Sequence, residues 1–150
     1  RQTLRMFDWK DEYSCGIKRI DDEHKKLFGI GNSIYKLATD ENRLDYFDRI
    51  LDLVDDLKDY TAYHFKDEEK VMSMYDYPGY EEQKRVHDRF INKIQNLDLE
   101  EIDENQQDAV LKLLNFIYNW ITNHILGMDL KIKDYFESLK PSELLRKKER

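Results

Sequence analysis

Apolar residues recur every three or four positions along most of the chain, the spacing that gathers them on one face of an α-helix. Four stretches carry the pattern. The first runs from about Asp21 to Leu37, with Ile20, Leu27, Phe28, Ile34 and Leu37 on one side, and Asp21 reads as its N-cap. The second runs from about Asn42 to Tyr75 along Phe47, Leu51, Val54, Leu57, Thr61, His64, Glu68, Met72 and Tyr75. Pro78 and Gly79 then break the chain, and Pro78 suits the first position of a third helix, where its missing amide costs nothing. That helix reaches about Leu97, with Tyr80, Gln83, His87, Phe90, Ile91 and Ile94 on its seam. A polar connection, Asp98 to Gln107, leads to a fourth helix whose face carries Val110, Leu113, Leu114, Ile117, Trp120, Ile121 and His124. Gly127 marks a kink or an end, and the helical pattern resumes from Asp129 to Leu139.

Four amphipathic helices with short connections predict an all-α fold, an antiparallel up-down-up-down four-helix bundle. An irregular N-terminal arm, residues 1–20 with Phe7, Trp9 and Tyr13, precedes it, and residues 141–150 read as a solvated tail. No repeat or linker divides the sequence, so residues 1–150 are expected to form a single domain. Five Gly and two Pro suit helices better than a turn-rich β architecture.

Charge and cysteine content narrow the partners. A net charge of −7 argues against nucleic acid, because phosphates repel an acidic surface. The single Cys15 excludes an intramolecular disulfide framework and fits a buried small residue in a reducing, cytoplasmic setting. No run approaches the roughly 20 apolar residues needed to cross a bilayer, so membrane insertion is not expected. The chain opens on Arg1 rather than Met, which fits a module of a longer protein.

The polar residues on the seams are the informative ones, since a bundle core should be apolar. His24 lies early on the first helix, His64 and Glu68 are four apart on the second, Gln83 and His87 repeat that spacing on the third, and His124 and Asp129 fall on the fourth. Each helix contributes one of the four histidines in the chain. A lone seam histidine is most often a hydrogen-bonded core residue. Four of them with two carboxylates would leave several costly polar groups buried unless they share a metal. Imidazole and carboxylate without thiolate suit iron, manganese or zinc. Six such donors exceed one tetrahedral zinc and match two metals bridged by Glu68 and Asp129.

The order of these residues resembles the hemerythrin family, and most closely its bacterial members. The matching text includes Trp9, the stretch Gly16 to Asp21 before His24, His64-Phe65 with Glu68-Glu69 and Met72, Tyr77-Pro78, His87 with Phe90, and Trp120 with His124-Ile125 and Asp129. The resemblance implies two non-haem iron ions joined by an oxo or hydroxo bridge. It implies that His24 and His64 hold the iron with the open position, that His87 and His124 hold the other, and that Glu68 and Asp129 span the pair. It further implies O2 as the ligand, behind an apolar wall of Phe28, Phe65, Ile121 and Ile125 that keeps water away.

Gln83 departs from the pattern, because the family places a fifth histidine four residues before His87. Three readings stand open. The Gln83 amide oxygen ligates weakly, or water or a carboxylate such as Glu82 fills the place, or the second iron binds poorly. The first two leave that iron poorer in imidazole and predict faster autoxidation. The resemblance implies O2 or a related small ligand as partner and, since bacterial members often occur within chemotaxis and signalling proteins, an O2 or redox sensor with a signalling domain in the same chain. Diiron peroxidase, oxidase or nitric-oxide chemistry is the enzymatic alternative, and O2 storage or iron buffering the plainer one.

Overall fold

The computed structural model describes residues 6–40, 47–96 and 106–143. Among them the chain forms helix α1 (Lys18–Ala38), α2 (Phe47–Met74), α3 (Tyr80–Gln95) and α4 (Gln106–His124). A five-residue π-helical turn, Ile125–Asp129, carries α4 into a fifth segment, α5 (Leu130–Ser138). The architecture is the predicted antiparallel four-helix bundle. Arg19 at the start of α1 pairs with Asp67 near the end of α2, and Gln107 at the start of α4 donates to the Ala38 carbonyl at the end of α1 (3.1 Å). Phe90 of α3 meets α4 through Phe116 and Trp120. No helix among the described residues is long and apolar enough to cross a membrane.

The bundle interior is apolar above and below a polar layer. A large cluster includes Phe28, Ile34, Val54, Leu57, Phe65, Phe90, Leu114, Ile117 and Ile121. A small cap of Cys15, Ile20 and Val71 packs with Ile17, Tyr75, Leu130 and Phe136 at the other end. His24, His64, Glu68, His87, His124 and Asp129, all buried, lie on the same seams between the two. Cys15 is buried and free.

Several element boundaries differ from the expectation. Asp21 is not an N-cap: α1 begins three residues earlier, with Ile17 in the capping position and no side-chain cap. Asp21 is buried in the first turn instead, where its carboxylate accepts from the Ser14 hydroxyl (2.6 Å) and the Cys15 amide (2.9 Å), tying the arm to the helix. Pro78 is not the first residue of the third helix, which starts at Tyr80 with Gly79 before it. A Cβ at Gly79 would lie 2.6 Å from the Tyr77 ring, so glycine there lets Tyr77 fold over the turn.

The second helix is stopped by Asp76 rather than by Pro78. Asp76 adopts a left-handed φ of 54°, and the Tyr77 amide donates back to the Met72 carbonyl at 2.9 Å, which closes the helix end in the Schellman manner. The start near Asn42, the end near Leu97 and most of the Asp98–Gln107 connection and the tail lie outside the described residues.

From Met6 onward the arm is held to α1 by contacts of its own. The Asn32 side chain accepts from the amides of Met6 (3.1 Å) and Phe7 (2.8 Å) and donates to the Phe7 carbonyl (2.7 Å). Phe7 is buried against Phe28 and Tyr118, with its ring edge lying where a Gly31 side chain would be: a Cβ there would meet it at 2.5 Å. Ala usually stabilises a helix interior over Gly by about 1 kcal/mol. Here Gly31→Ala is expected to destabilise the fold by about 1–3 kcal/mol, because the buried Phe7 ring has nowhere to move. Urea unfolding checks this, and a more stable variant would mean that the arm is not locked onto α1.

Candidate metal centre

Helical periodicity explains three of the four contributions to the polar layer. His24 follows Ile20 by one turn, His64 and Glu68 stack at i and i+4, and Gln83 and His87 do the same. His124 and Asp129 are five apart, which in a regular α-helix would turn them about 140° from each other. The π turn at Ile125–Asp129 absorbs the extra residue and brings both onto the inner face. Gly127 is exposed in that turn, so the expected kink is present, as a widened turn rather than a break.

The six donors divide into two groups that share Glu68, and Asp129, which belongs with His87 and His124, also turns its second oxygen to His24. In the first, Glu68 Oε2 lies 3.3 Å from His64 Nε2 and 3.7 Å from His24 Nε2, and Asp129 Oδ2 lies 3.3 Å from His24 Nε2. In the second, Glu68 Oε1 lies 3.4 Å from His87 Nε2, Asp129 Oδ1 lies 3.3 Å from His124 Nε2, and the Nε2 atoms of His87 and His124 are 3.1 Å apart. Charge-assisted hydrogen bonds close to about 2.7–2.9 Å. These spacings are longer and match neighbouring donors around one ion with bonds of about 2.1 Å, whose adjacent ligands sit about 3 Å apart.

The fit to a metal pair can be tested on unpaired atoms. Both oxygens of Glu68 and Oδ2 of Asp129 are buried without a hydrogen bond, as is Oε1 of Gln83. Buried carboxylate oxygens left bare are costly, and cations between the facing nitrogens and oxygens would remove that cost. The residues therefore fit two ions held in a nitrogen–oxygen shell.

Comparison with known proteins agrees. The family model for the hemerythrin HHE cation binding domain matches residues 15–136. The chain belongs to the hemerythrin family. It is 40% identical to a bacteriohemerythrin from Clostridium acetobutylicum over 129 residues, which is 86% of this chain and all of that relative. Hemerythrin subunit 1 of Golfingia vulgaris is 32% identical, over 83% of this chain and 89% of the other. Among solved structures, the crystal structure of a hemerythrin point mutant superposes with a TM-score of 0.71 at 26% identity, covering 87% of this chain and 97% of that one. Hemerythrins bind a non-haem diiron centre, and the donor set of this chain is of that kind.

Two residues of this hemerythrin site escape a seam-based reading. Glu23 Oε1 is 2.7 Å from His64 Nδ1, and Glu69 Oε2 is 2.9 Å from His87 Nδ1. Each accepts the ring proton on the far side of an imidazole and so leaves Nε2 free for the centre. Each stands next to a seam residue in sequence, yet a helical neighbour points about 100° away. Glu23 and Glu69 serve the histidine of the adjacent helix, a relation that periodicity within one helix cannot reveal.

Gln83 is buried, and its Nε2 donates to Asp129 Oδ1 at 3.0 Å. Glu82, the other donor expected for that place, is exposed. Phe28, Phe65, Ile121 and Ile125 are all buried in the large apolar cluster beside the polar layer. Phe65 lies flat on His87, with ring centroids 3.9 Å apart, while Trp120 stacks on His124 at 4.6 Å.

Electrostatics in the layer is mutual. Burial opposes charge on Glu68, but the facing imidazoles of His24, His64 and His87 hold its carboxyl well below the ordinary range. Burial and the charge of Glu68 both oppose ionisation of Asp129, and His124 and His24 outweigh them. Burial also works against charging His24 and His87. Their carboxylate neighbours prevail, Asp129 and Glu68 for His24 and Glu68 and Glu69 for His87, raising each from 6.5 to about 9.

A raised imidazole pKa stabilises the fold fully below its unfolded value and ceases to do so above its folded one. Chelator-stripped protein should therefore lose thermal stability as the pH climbs from 6.5 toward about 9. Metal ligation requires neutral imidazoles, so the loaded protein should show no such decline over the same window. Melting curves of both forms across that range test this, and a flat or rising Tm in the stripped protein would exclude it.

Proposed function

We propose that this chain is a non-haem diiron O2-binding protein in which His24 and His64 hold one iron, His87 and His124 the other, and Glu68 and Asp129 bridge them. The observation that carries the reading is the division of the two carboxylates: Glu68 turns one oxygen to His24 and His64 and the other to His87, and Asp129 turns one oxygen to His24 and the other to His124. When bound, the iron pair supplies reversible two-electron chemistry toward O2. The protein's part is to hold the imidazoles in one tautomer through Glu23 and Glu69, to orient Asp129 through Gln83, and to keep water out with Phe28, Phe65, Ile121 and Ile125. Anaerobic reconstitution should load two irons per chain, and Glu68→Ala, with helical content unchanged, should lose most of that iron. No iron retained by the wild type would reject the reading.

Within this function the favoured role is an O2 or redox sensor, as a module of a signalling or chemotaxis protein, rather than a store. Its support is Gln83: a hydrogen-bonded amide replaces an imidazole at one iron, which disfavours a long-lived oxygenated form. Gln83→His should therefore lengthen the lifetime of the oxygenated spectrum after O2 is admitted to reduced protein. An equally long lifetime in the wild type would favour storage and exclude tuning by Gln83.

A further inference from the structure

Both halves of the centre draw on Glu68, and Asp129 turns one oxygen toward His124 and the other toward His24. His24 Nε2, His64 Nε2 and Glu68 Oε2 would hold one ion, with Asp129 Oδ2 reaching it beside His24, and His87 Nε2, His124 Nε2, Glu68 Oε1 and Asp129 Oδ1 would hold the other. Iron in such a shell is commonly six-coordinate, and two histidines with carboxylate oxygen are a set that leaves places open for exogenous ligands. If one solvent-derived oxygen bridges the pair, one place remains on each ion.

What could close the second place is Gln83, and its orientation argues against that. An amide lying 3.0 Å from Asp129 Oδ1 must present its NH2, because turned the other way two acceptor oxygens would face each other. The edge of the amide that meets Asp129 is thus a donor and cannot ligate, while Oε1 stands on the other edge without a hydrogen bond. Glu69 is occupied at Nδ1 of His87, on the far side of that ring, and Glu82 is exposed. Among the described His, Cys, Asp and Glu side chains, the cluster around this half consists of Glu68, His87, His124 and Asp129.

We propose that the His87/His124 half carries a second exchangeable position, created by Gln83, that takes a small monoanion. The proposal rests on the diiron reading above and makes the two irons alike in having a replaceable ligand. Charge favours an anion there. Two ferric ions, an oxo group and two carboxylates retain two positive charges in a buried site, so one monoanion on each half neutralises them. Gln83 favours it too, since only one of the two N–H groups on Nε2 is used by Asp129 and the other can meet the incoming ligand.

Azide titration of the diferric holoprotein by calorimetry, with iron counted on the same sample, tests the proposal. The wild type should take up two azides per pair of irons. Gln83→His, which supplies a ligand to the second place, should take up one. Gln83→Met keeps the size of the side chain but removes the donor, and should still bind two, with the second weakened roughly tenfold or more by loss of a hydrogen bond to a charged group. Circular dichroism establishes that each variant is folded. One azide in the wild type with two irons present overturns the proposal and leaves the diiron reading standing. One azide in the wild type and two in Gln83→Met would show that the amide oxygen ligates after all. Fewer than two irons in the wild type defeats the proposal and the diiron reading together.

Discussion

Two carboxylates buried at the centre of a helical bundle, with three of their four oxygens making no hydrogen bond, set the terms for the rest of this structure. A carboxylate in such a place is tolerated only if positive charge surrounds it. Imidazoles from all four helices face the two carboxylates here, and they lower the pKa of Glu68 and Asp129 although burial favours the neutral acids. The apolar layers on either side follow from this arrangement. They exclude water, which strengthens each attraction inside the layer, and they carry the hydrophobic stabilisation that offsets the cost of burying it.

The support around the layer reaches across helices. Glu23 of α1 steadies His64 of α2, and Glu69 of α2 steadies His87 of α3. Arg19 and Asp67 close the same end of α1 against α2. Aromatic rings lie flat on the imidazoles of the second half, Phe65 on His87 and Trp120 on His124, so that ring rotation there would disturb the core. In the first half, His24 meets His64 with ring centroids 4.5 Å apart, and its Nδ1 has no partner. The two halves thus share their carboxylates but differ in how firmly their imidazoles are held.

Membership of the hemerythrin family accounts for the bundle and for the kind of centre it holds. Gln83 is the feature on which the proposed character of this centre rests. Its amide donates to Asp129, so it meets the carboxylate of the polar layer where the family pattern has an imidazole. That single substitution of chemistry ties the proposed sensing role to the proposed second ligand position, since both depend on an iron with fewer imidazoles.

Much of the fold and most of the candidate site were legible in the sequence because a helix repeats every 3.6 residues. Spacings of three and four made the four seams visible, and the polar residues interrupting them pointed to His24, His64, Glu68, His87 and His124. What periodicity could not decide depended on contacts between segments distant in sequence. Asp129 needed a π turn to join His124. Asp21 looked like a cap but bonds backward to the arm, and Pro78 looked like a helix start although Asp76 and Tyr77 set the turn before it. Glu23 and Glu69 became relevant only once a neighbouring helix brought a histidine to them. Gln83 could be seen as unusual from the sequence alone, but which end of its amide meets Asp129 depended on where the bundle places that carboxylate. Residue type and local spacing say which groups a helix presents inward. Only the packing of four helices against one another says which of those groups meet.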